Sequence, residues 1–203
     1  MGHAPERLVI AVTGASGAIY AVRLLKAGLE LGLEMHFVAS DYGKRLLIEE
    51  CKLNLKTESI EGWLDERYGK RERSGSLIHH SPHDLGDTLA SGSVGWDGMA
   101  VVPCSMKTLS GIAHGASTNL IERAADVTLK ESRRLVLVPR ETPLNRIQLD
   151  NMSRAAGAGA SICPAMPAFY TRPESFEDLA DFIAGRVLTL LGVRHDLTAP
   201  WSG

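Results

Sequence analysis

The sequence contains no apolar run approaching the ~18–20 residues that a bilayer-spanning helix needs. Its first residues, Met1 to Arg7, hold no apolar signal core, which predicts a cytoplasmic protein. An excess of one charge is missing too. Lys and Arg number 22 against 24 Asp and Glu, with no basic block, which argues against a dedicated nucleic-acid binder. Cysteine is scarce: Cys51, Cys104 and Cys163 form neither a closely spaced pair nor an even framework, so reduced thiols are expected. The P-loop spacing, the G-x-G-x-x-G dinucleotide turn and the H-E-x-x-H zinc motif are all lacking. The remaining composition, 44% hydrophobic and 23% charged over 203 residues, suits one globular domain spanning 1–203 with a sizeable core.

The pattern that is present is alternation. Arg7 to Thr13 is a short run rich in β-branched residues that stops at Gly14, which predicts a buried parallel strand. From Ile19 the period changes. Val22, Leu25 and Leu29 fall at helical spacing, with Gly32 closing the helix. Met35 to Ser40 reads as a second strand and Asp41 to Glu50 as a helix. Residues 56–90 are polar and give no clear element. Beyond them Met99–Cys104 and Leu135–Arg140 read as strands, and Ala160–Cys163 as a short one. Ser105–His114, Asn119–Glu131, Asn145–Ala158 and Phe176–Leu191 read as helices, with Arg186 on the apolar face of the last between Ile183 and Val187. The tail after Leu191 is expected on the surface or against a neighbour. Strand–helix alternation of this kind predicts an α/β, Rossmann-like three-layer sandwich with a mostly parallel sheet.

In such a sheet, ligands sit beyond the carboxyl ends of the strands, close to helix N-termini. Gly14-Ala-Ser-Gly17 offers backbone N–H groups and a hydroxyl. It reads either as an anion-binding turn or as a tight strand–helix connection. Ser105-Met-Lys-Thr108 is a second hydroxyl-rich junction with a cation, or an ordinary helix cap. Arg140-Glu141 reads as a phosphate clamp with a proton-carrying carboxylate, or as a rim ion pair. Arg123 and Lys130, seven apart, share one helix face, which taken alone reads as a solvated face. His79, His80 and His83 invite a metal reading, but Pro82 interrupts the spacing and no cysteine partner accompanies them. Cys104, at a strand end, reads as a nucleophile or, since no base is identifiable near it, as a small buried thiol, and the second reading is favoured.

Five stretches together resemble one family. They are Gly14-Ala-Ser-Gly-Ala-Ile-Tyr20, Cys104-Ser-Met-Lys-Thr-Leu-Ser-Gly111, Arg123-Ala-Ala-Asp-Val-Thr-Leu-Lys-Glu131, Leu137-Val-Pro-Arg-Glu-Thr-Pro-Leu144 and Pro164-Ala-Met-Pro-Ala-Phe-Tyr170. In this order, from about Arg7 to Leu191, the chain is similar to the UbiX-type flavin prenyltransferases. The resemblance implies a Rossmann-like flavoprotein fold. It also implies transfer of the dimethylallyl group of dimethylallyl phosphate to N5 and C6 of reduced FMN, with no metal. The prenylated FMN then serves a UbiD-type decarboxylase, in ubiquinone biosynthesis or aromatic acid breakdown. Family members assemble as homododecamers built from trimers.

By motif, the resemblance places Gly14, Ala15, Ser16, Ser40, Ser105, Met106, Lys107, Thr108 and Arg140 at FMN. It places Arg123, Lys130, Tyr170 and Arg186 around the prenyl phosphate, and Ala90, Ser91 and Gly92 beside the prenyl chain. Glu50, Lys130 and Glu141 fall at the catalytic positions. Leu85 is the nearest bulky residue where some relatives carry an aromatic. Two other readings of the same fold stand beside this one: a flavin-dependent decarboxylase and a non-catalytic FMN carrier. The decarboxylases carry P-x-M-N-x-x-M-W, whereas this chain has Pro164-Ala-Met-Pro167 with no Asn or Trp following.

Overall fold

The computed structural model describes residues 5–197. The first four residues, part of the segment read for a signal core, and the tail beyond Leu197 lie outside them. Among the described residues six parallel strands form one sheet: β1 Arg7–Val12, β2 Glu34–Ala39, β3 Ser76–His80, β4 Gly98–Cys104, β5 Arg134–Pro139 and β6 Ser161–Ile162. Their order is β3-β2-β1-β4-β5-β6, a doubly wound arrangement that reverses between β1 and β4. The helices are α1 Ala18–Glu30, α2 Asp41–Cys51, α3 Ile60–Tyr68, α4 Met106–Ala113, α5 Leu120–Lys130, α6 Arg146–Gly157 and α7 Phe176–Leu191.

The two-residue period of the strands divides the core. Leu8, Ile10, Val12, Met35 and Phe37 pack with α1, α3 and α7 on one face. Val9, Ala11, Val38, Met99 and Val101 pack with α4, α5 and α6 on the other. Every residue of β4 is buried, as a central parallel strand requires. The three-layer sandwich expected from the alternation is the fold observed.

The polar stretch 56–90 holds two elements that the pattern did not reveal. In α3, only Ile60, Trp63 and Leu64 are buried, too few to write a helical period. β3 is the sheet edge, mostly exposed or half-buried, so its five residues show no apolar alternation. It pairs in parallel with β2 through backbone hydrogen bonds that carry no side-chain signature. A 3₁₀ turn, Thr88–Ala90, completes the segment.

Arg186 requires a correction. The buried face of α7 is Ile183, Ala184, Val187, Leu188 and Leu191, and Arg186 stands exposed beside it. Its neighbours in sequence are core residues, but its own direction falls at the margin of the stripe. The chain after α7 reverses at Gly192 and tucks Val193 into the core as far as it is described.

Candidate functional site

The sheet reverses where β1 and β4 lie side by side, and Thr13 links their carboxyl ends. Its buried hydroxyl donates to the Pro103 carbonyl at 2.9 Å and accepts the Ser105 N–H at 2.8 Å. The chains leaving the two strands therefore start from one point and diverge, which opens a crevice. A cavity of about 650 Å³ fills it. Gly14, Ala15, Ser40, Ser105, Met106, Lys107, Thr108, Arg140 and Glu141 line it, so nine of the residues singled out by sequence meet there.

Three helices point their N-termini at this cavity. Ser40 caps α2 by accepting the Gly43 N–H at 3.0 Å, Ser105 caps α4 through Thr108, and Asn119 caps α5 through the Glu122 N–H at 3.0 Å. All three capping residues are in its wall. Helix N-termini carry partial positive charge and free N–H groups, and Lys107 and Arg140 add full charges. Asp41, Glu122 and Glu141 oppose them on the same wall. Glu122 is buried and accepts from the Thr118 N–H at 3.0 Å and the Thr118 hydroxyl at 2.5 Å.

The amino end of α1 behaves differently. The Gly17 and Ala18 N–H groups both donate to one Glu50 oxygen at 2.8 Å, so a carboxylate of this chain already fills the anion position expected at the glycine turn. Gly17 has φ +116°, and a Cβ there would stand 2.8 Å from the Tyr20 ring, so only glycine fits. Arg140 Nε donates to the Ser16 carbonyl at 3.0 Å, which ties the β5 end to the same turn. Tyr20 lies between these groups. Burial raises its phenol pKa, Arg140 opposes that shift and Glu50 adds to it.

The other sequence-derived residues fall in two groups outside the cavity wall. Tyr170 and Arg186 lie along α7: Tyr170 meets Phe182 edge-on at 6.2 Å, and Arg186 follows Phe182 by one helical turn. Arg186 is also near enough for its charge to offset part of the rise that burial imposes on the Cys163 thiol. Arg123 donates to the Ala90 carbonyl at 3.1 Å and pairs with Asp126. Gly92 packs against Glu131, whose carboxylate is 3.6 Å from Lys130. Ser91 and Ser93 share a hydrogen bond of 2.8 Å in the same loop. Lys130 lies ten residues beyond the cavity-lining start of α5, about 15 Å along its axis.

Cavity residues without an assigned role in the sequence include Tyr42, Pro82, His83, Thr118, Ile121 and Glu122. The His-Pro cluster that contains Pro82 and His83 was visible, but its place depended on β3. Of the histidines there, His80 pairs with Asp87 and with His36 of β2, and His83 with Asp41. Cys104 is fully buried, and burial pushes its thiol up to about 12, so it is not a nucleophile at neutral pH.

A protein family described as Flavoprotein matches residues 3–188. The flavin prenyltransferase UbiX of Halalkalibacterium halodurans is 45% identical over 192 residues, covering 95% of this chain and 91% of that one. The chain belongs to the UbiX flavin prenyltransferase family. The crystal structure of AnUbiX in complex with FMN and dimethylallyl pyrophosphate matches with a TM-score of 0.87 at 40% identity, over 98% of both chains. A dodecameric FMN-dependent UbiX-like decarboxylase from Escherichia coli matches with a TM-score of 0.86 at 39% identity, over 97% of this chain and all of that one.

Within the UbiX family frame, the cavity has the size and chemistry to accept a flavin mononucleotide. Its volume is that of an ordinary cofactor site. At Gly14 a Cβ would stand 2.7 Å from Tyr42, so the bare backbone is what leaves room along this wall. The donors of the α2 and α4 N-termini with Lys107 suit a phosphate, and the Gly14–Ser16 turn with Arg140 suits a polar ring edge.

Proposed function

We propose that this chain transfers the dimethylallyl group of dimethylallyl phosphate to N5 and C6 of reduced FMN, and that the prenylated FMN passes to a UbiD-type decarboxylase. The single observation that carries this reading is the full-length match to a UbiX structure holding FMN and a dimethylallyl donor, over a cavity whose wall gathers the expected flavin residues. In this reading the FMN phosphate lies against Ser40, Ser105, Met106, Lys107 and Thr108, and its ring against Gly14, Ala15, Ser16 and Arg140. Reduced FMN supplies the nucleophilic ring atoms.

The residues of the chain do the rest. Cleaving the C–O bond of a prenyl phosphate leaves negative charge on the phosphate and positive charge on the allyl group. Arg123, Lys130, Tyr170 and Arg186 are the donors that stabilise the leaving phosphate. Glu141 carries a proton on a carboxylate whose Oε1 is oriented by the Thr142 N–H at 3.0 Å. Glu50 fixes a negative charge at the glycine turn, facing the flavin ring and the allyl group. Ala90, Ser91 and Gly92 flank the prenyl chain.

These groups lie apart within one chain, so the complete site forms where copies meet. The dodecameric relative supports assembly of this kind, as do the exposed Ile147, Met166, Phe169 and Phe176. We place the enzyme in the cytoplasm. Among the described residues no helix is long and apolar enough to cross a membrane.

The decisive experiment incubates the purified chain anaerobically with reduced FMN and dimethylallyl mono- or diphosphate, then weighs the released flavin. A gain of one dimethylallyl unit is expected, unchanged by EDTA because side-chain cations meet the phosphate charge. Unaltered flavin with both donors would return the chain to the decarboxylase or carrier reading.

A further inference from the structure

A four-residue hydrogen-bond chain crosses the sheet edge beside the cavity. His36 Nε2 is 2.9 Å from Glu34 Oε1, His36 Nδ1 is 2.8 Å from His80 Nε2, and His80 Nδ1 is 2.7 Å from Asp87 Oδ2. The two rings stack with centroids 5.0 Å apart, and both histidine side chains are more than nine-tenths buried. Asp87 is also a cap, since its other oxygen accepts the Leu89 N–H at 2.9 Å. The segment from Ser81 to Asp87 is thus held between His80 and the turn that delivers Ala90. It carries Pro82 and His83 into the cavity wall.

Proton counting restricts the states of this chain. Each carboxylate is an acceptor, so His36 Nε2 and His80 Nδ1 must both carry hydrogens. The ring-to-ring contact needs exactly one more. Two neutral imidazoles hold only two protons between them and must break one contact. Two imidazolium ions hold four and place N–H against N–H. Only three protons on two rings satisfy all three contacts.

We propose that His36 and His80 share one extra proton and act as positioning residues, holding the Ser81–Ala90 segment in register with the flavin cavity. The surroundings are consistent with a single shared charge. Glu34 and Asp87 flank the pair, and Arg7 offsets Glu34 through a 2.5 Å contact. His79 turns to the opposite face, against Phe37, with Glu61 of α3 acting on it. The charges of α5 are engaged elsewhere: Glu122 with Thr118, Arg123 with Asp126, and Lys130 with Glu131. Burial lowers the His36 pKa, the Glu34 contact opposes that shift and His80 adds to it, so a charge on one ring works against a charge on the other.

The consequence is a window. Above the higher macroscopic pKa of the pair the bridging proton leaves, below the lower one an extra proton arrives, and the segment loosens on both sides. This rests on the cavity being the flavin site only where flavin affinity is the readout. Two measurements need no flavin. Ring-nitrogen NMR of ¹⁵N-histidine-labelled protein between about pH 5 and 8.5 is expected to show three protonated nitrogens on the two rings within the window. Amide-exchange protection of Ser81–Ala90 is expected to be bell-shaped over the same range.

Asp87→Asn gives the discriminating variant. Its side-chain oxygen still caps the turn, but its amide donates to His80 Nδ1, so two neutral rings now complete the chain. The alkaline loss of protection is expected to disappear while the acid loss remains. His80→Gln is expected to weaken FMN binding about tenfold near neutral pH, the worth of one charge-assisted contact. Two or four ring protons throughout the pH range, or an unchanged alkaline limb in Asp87→Asn, would overturn the proposal. Failure of the native chain to bind FMN at any pH would sink the flavin reading instead, and the NMR and exchange results would still decide this one.

Discussion

One carboxylate oxygen of Glu50, at the end of α2, accepts the Gly17 N–H at the start of α1 and the Ala18 N–H beside it, both at 2.8 Å. A glycine turn that looks like a phosphate cradle in sequence is therefore closed by a side chain from 33 residues away. In the function proposed above, the phosphate therefore lies at the α2 and α4 N-termini and the ring at the glycine turn.

Glu50→Gln is expected to keep the shape of this contact but weaken it, and Glu50→Ala to remove it. A carboxylate cap of this kind contributes about 1 kcal/mol. Chemical denaturation should show Ala less stable than Gln by part of that amount, while both lose turnover by far more than they lose stability. Full activity in Glu50→Gln would remove it from the catalytic set.

The two ends of the flavin can be separated with a ligand that lacks phosphate. Lys107→Ala is expected to weaken FMN binding roughly 10- to 100-fold, as loss of a charge-assisted contact does, and to leave riboflavin binding nearly unchanged. Ser16→Asp places a second acid beside Glu50 and is expected to weaken both ligands. Fluorescence titration reads all four combinations. Equal loss of FMN and riboflavin in Lys107→Ala would show that the phosphate lies elsewhere.

Exposure of Arg186 makes its substitution a clean test. Arg186→Ala is expected to leave melting temperature and FMN affinity intact, raise KM for the prenyl phosphate and lower kcat/KM by roughly 30- to 1000-fold. Glu141→Gln should spare KM and lower kcat, because it keeps the shape without the proton carrier. Steady-state kinetics on the assembled oligomer separates the two patterns. Normal turnover in Arg186→Ala would remove it from the phosphate site.

Cys104 supplies a prediction with a definite sign. Its thiol is held up to about 12 by burial, whereas an unfolded cysteine ionises near ~8.5. The unfolded chain thus releases a proton that the folded one keeps. The thiol's contribution is fully present below the unfolded pKa and is lost as pH rises from there towards 12. Native protein at about pH 8 should react with a thiol reagent at Cys104 only on the timescale of unfolding. Fast labelling at that position, read by peptide mass mapping, would contradict the burial.

Much of the architecture was legible because local periodicity and burial coincide. β1, β2, β4 and β5 are apolar runs because both faces of a parallel sheet are covered, and Ser105 and Asn119 announced helix starts by capping chemistry that acts over three residues, whereas Ser40, read as a strand end, proved to be the cap of α2. The family was legible from five ordered motifs. Tertiary structure alone decided the rest. β3 is a strand only because β2 offers it an edge, and its histidines became a proton-counted chain only once His36 faced His80. Arg186 moved from the apolar face to the surface because a helix stripe has margins that spacing cannot resolve, and Glu50 found Gly17 through packing of α2 on α1. Sequence determines what each segment prefers over a few residues. Which distant groups satisfy one another is set by the packing of whole elements, because a hydrogen bond requires contact within about 3 Å however far apart its partners lie along the chain.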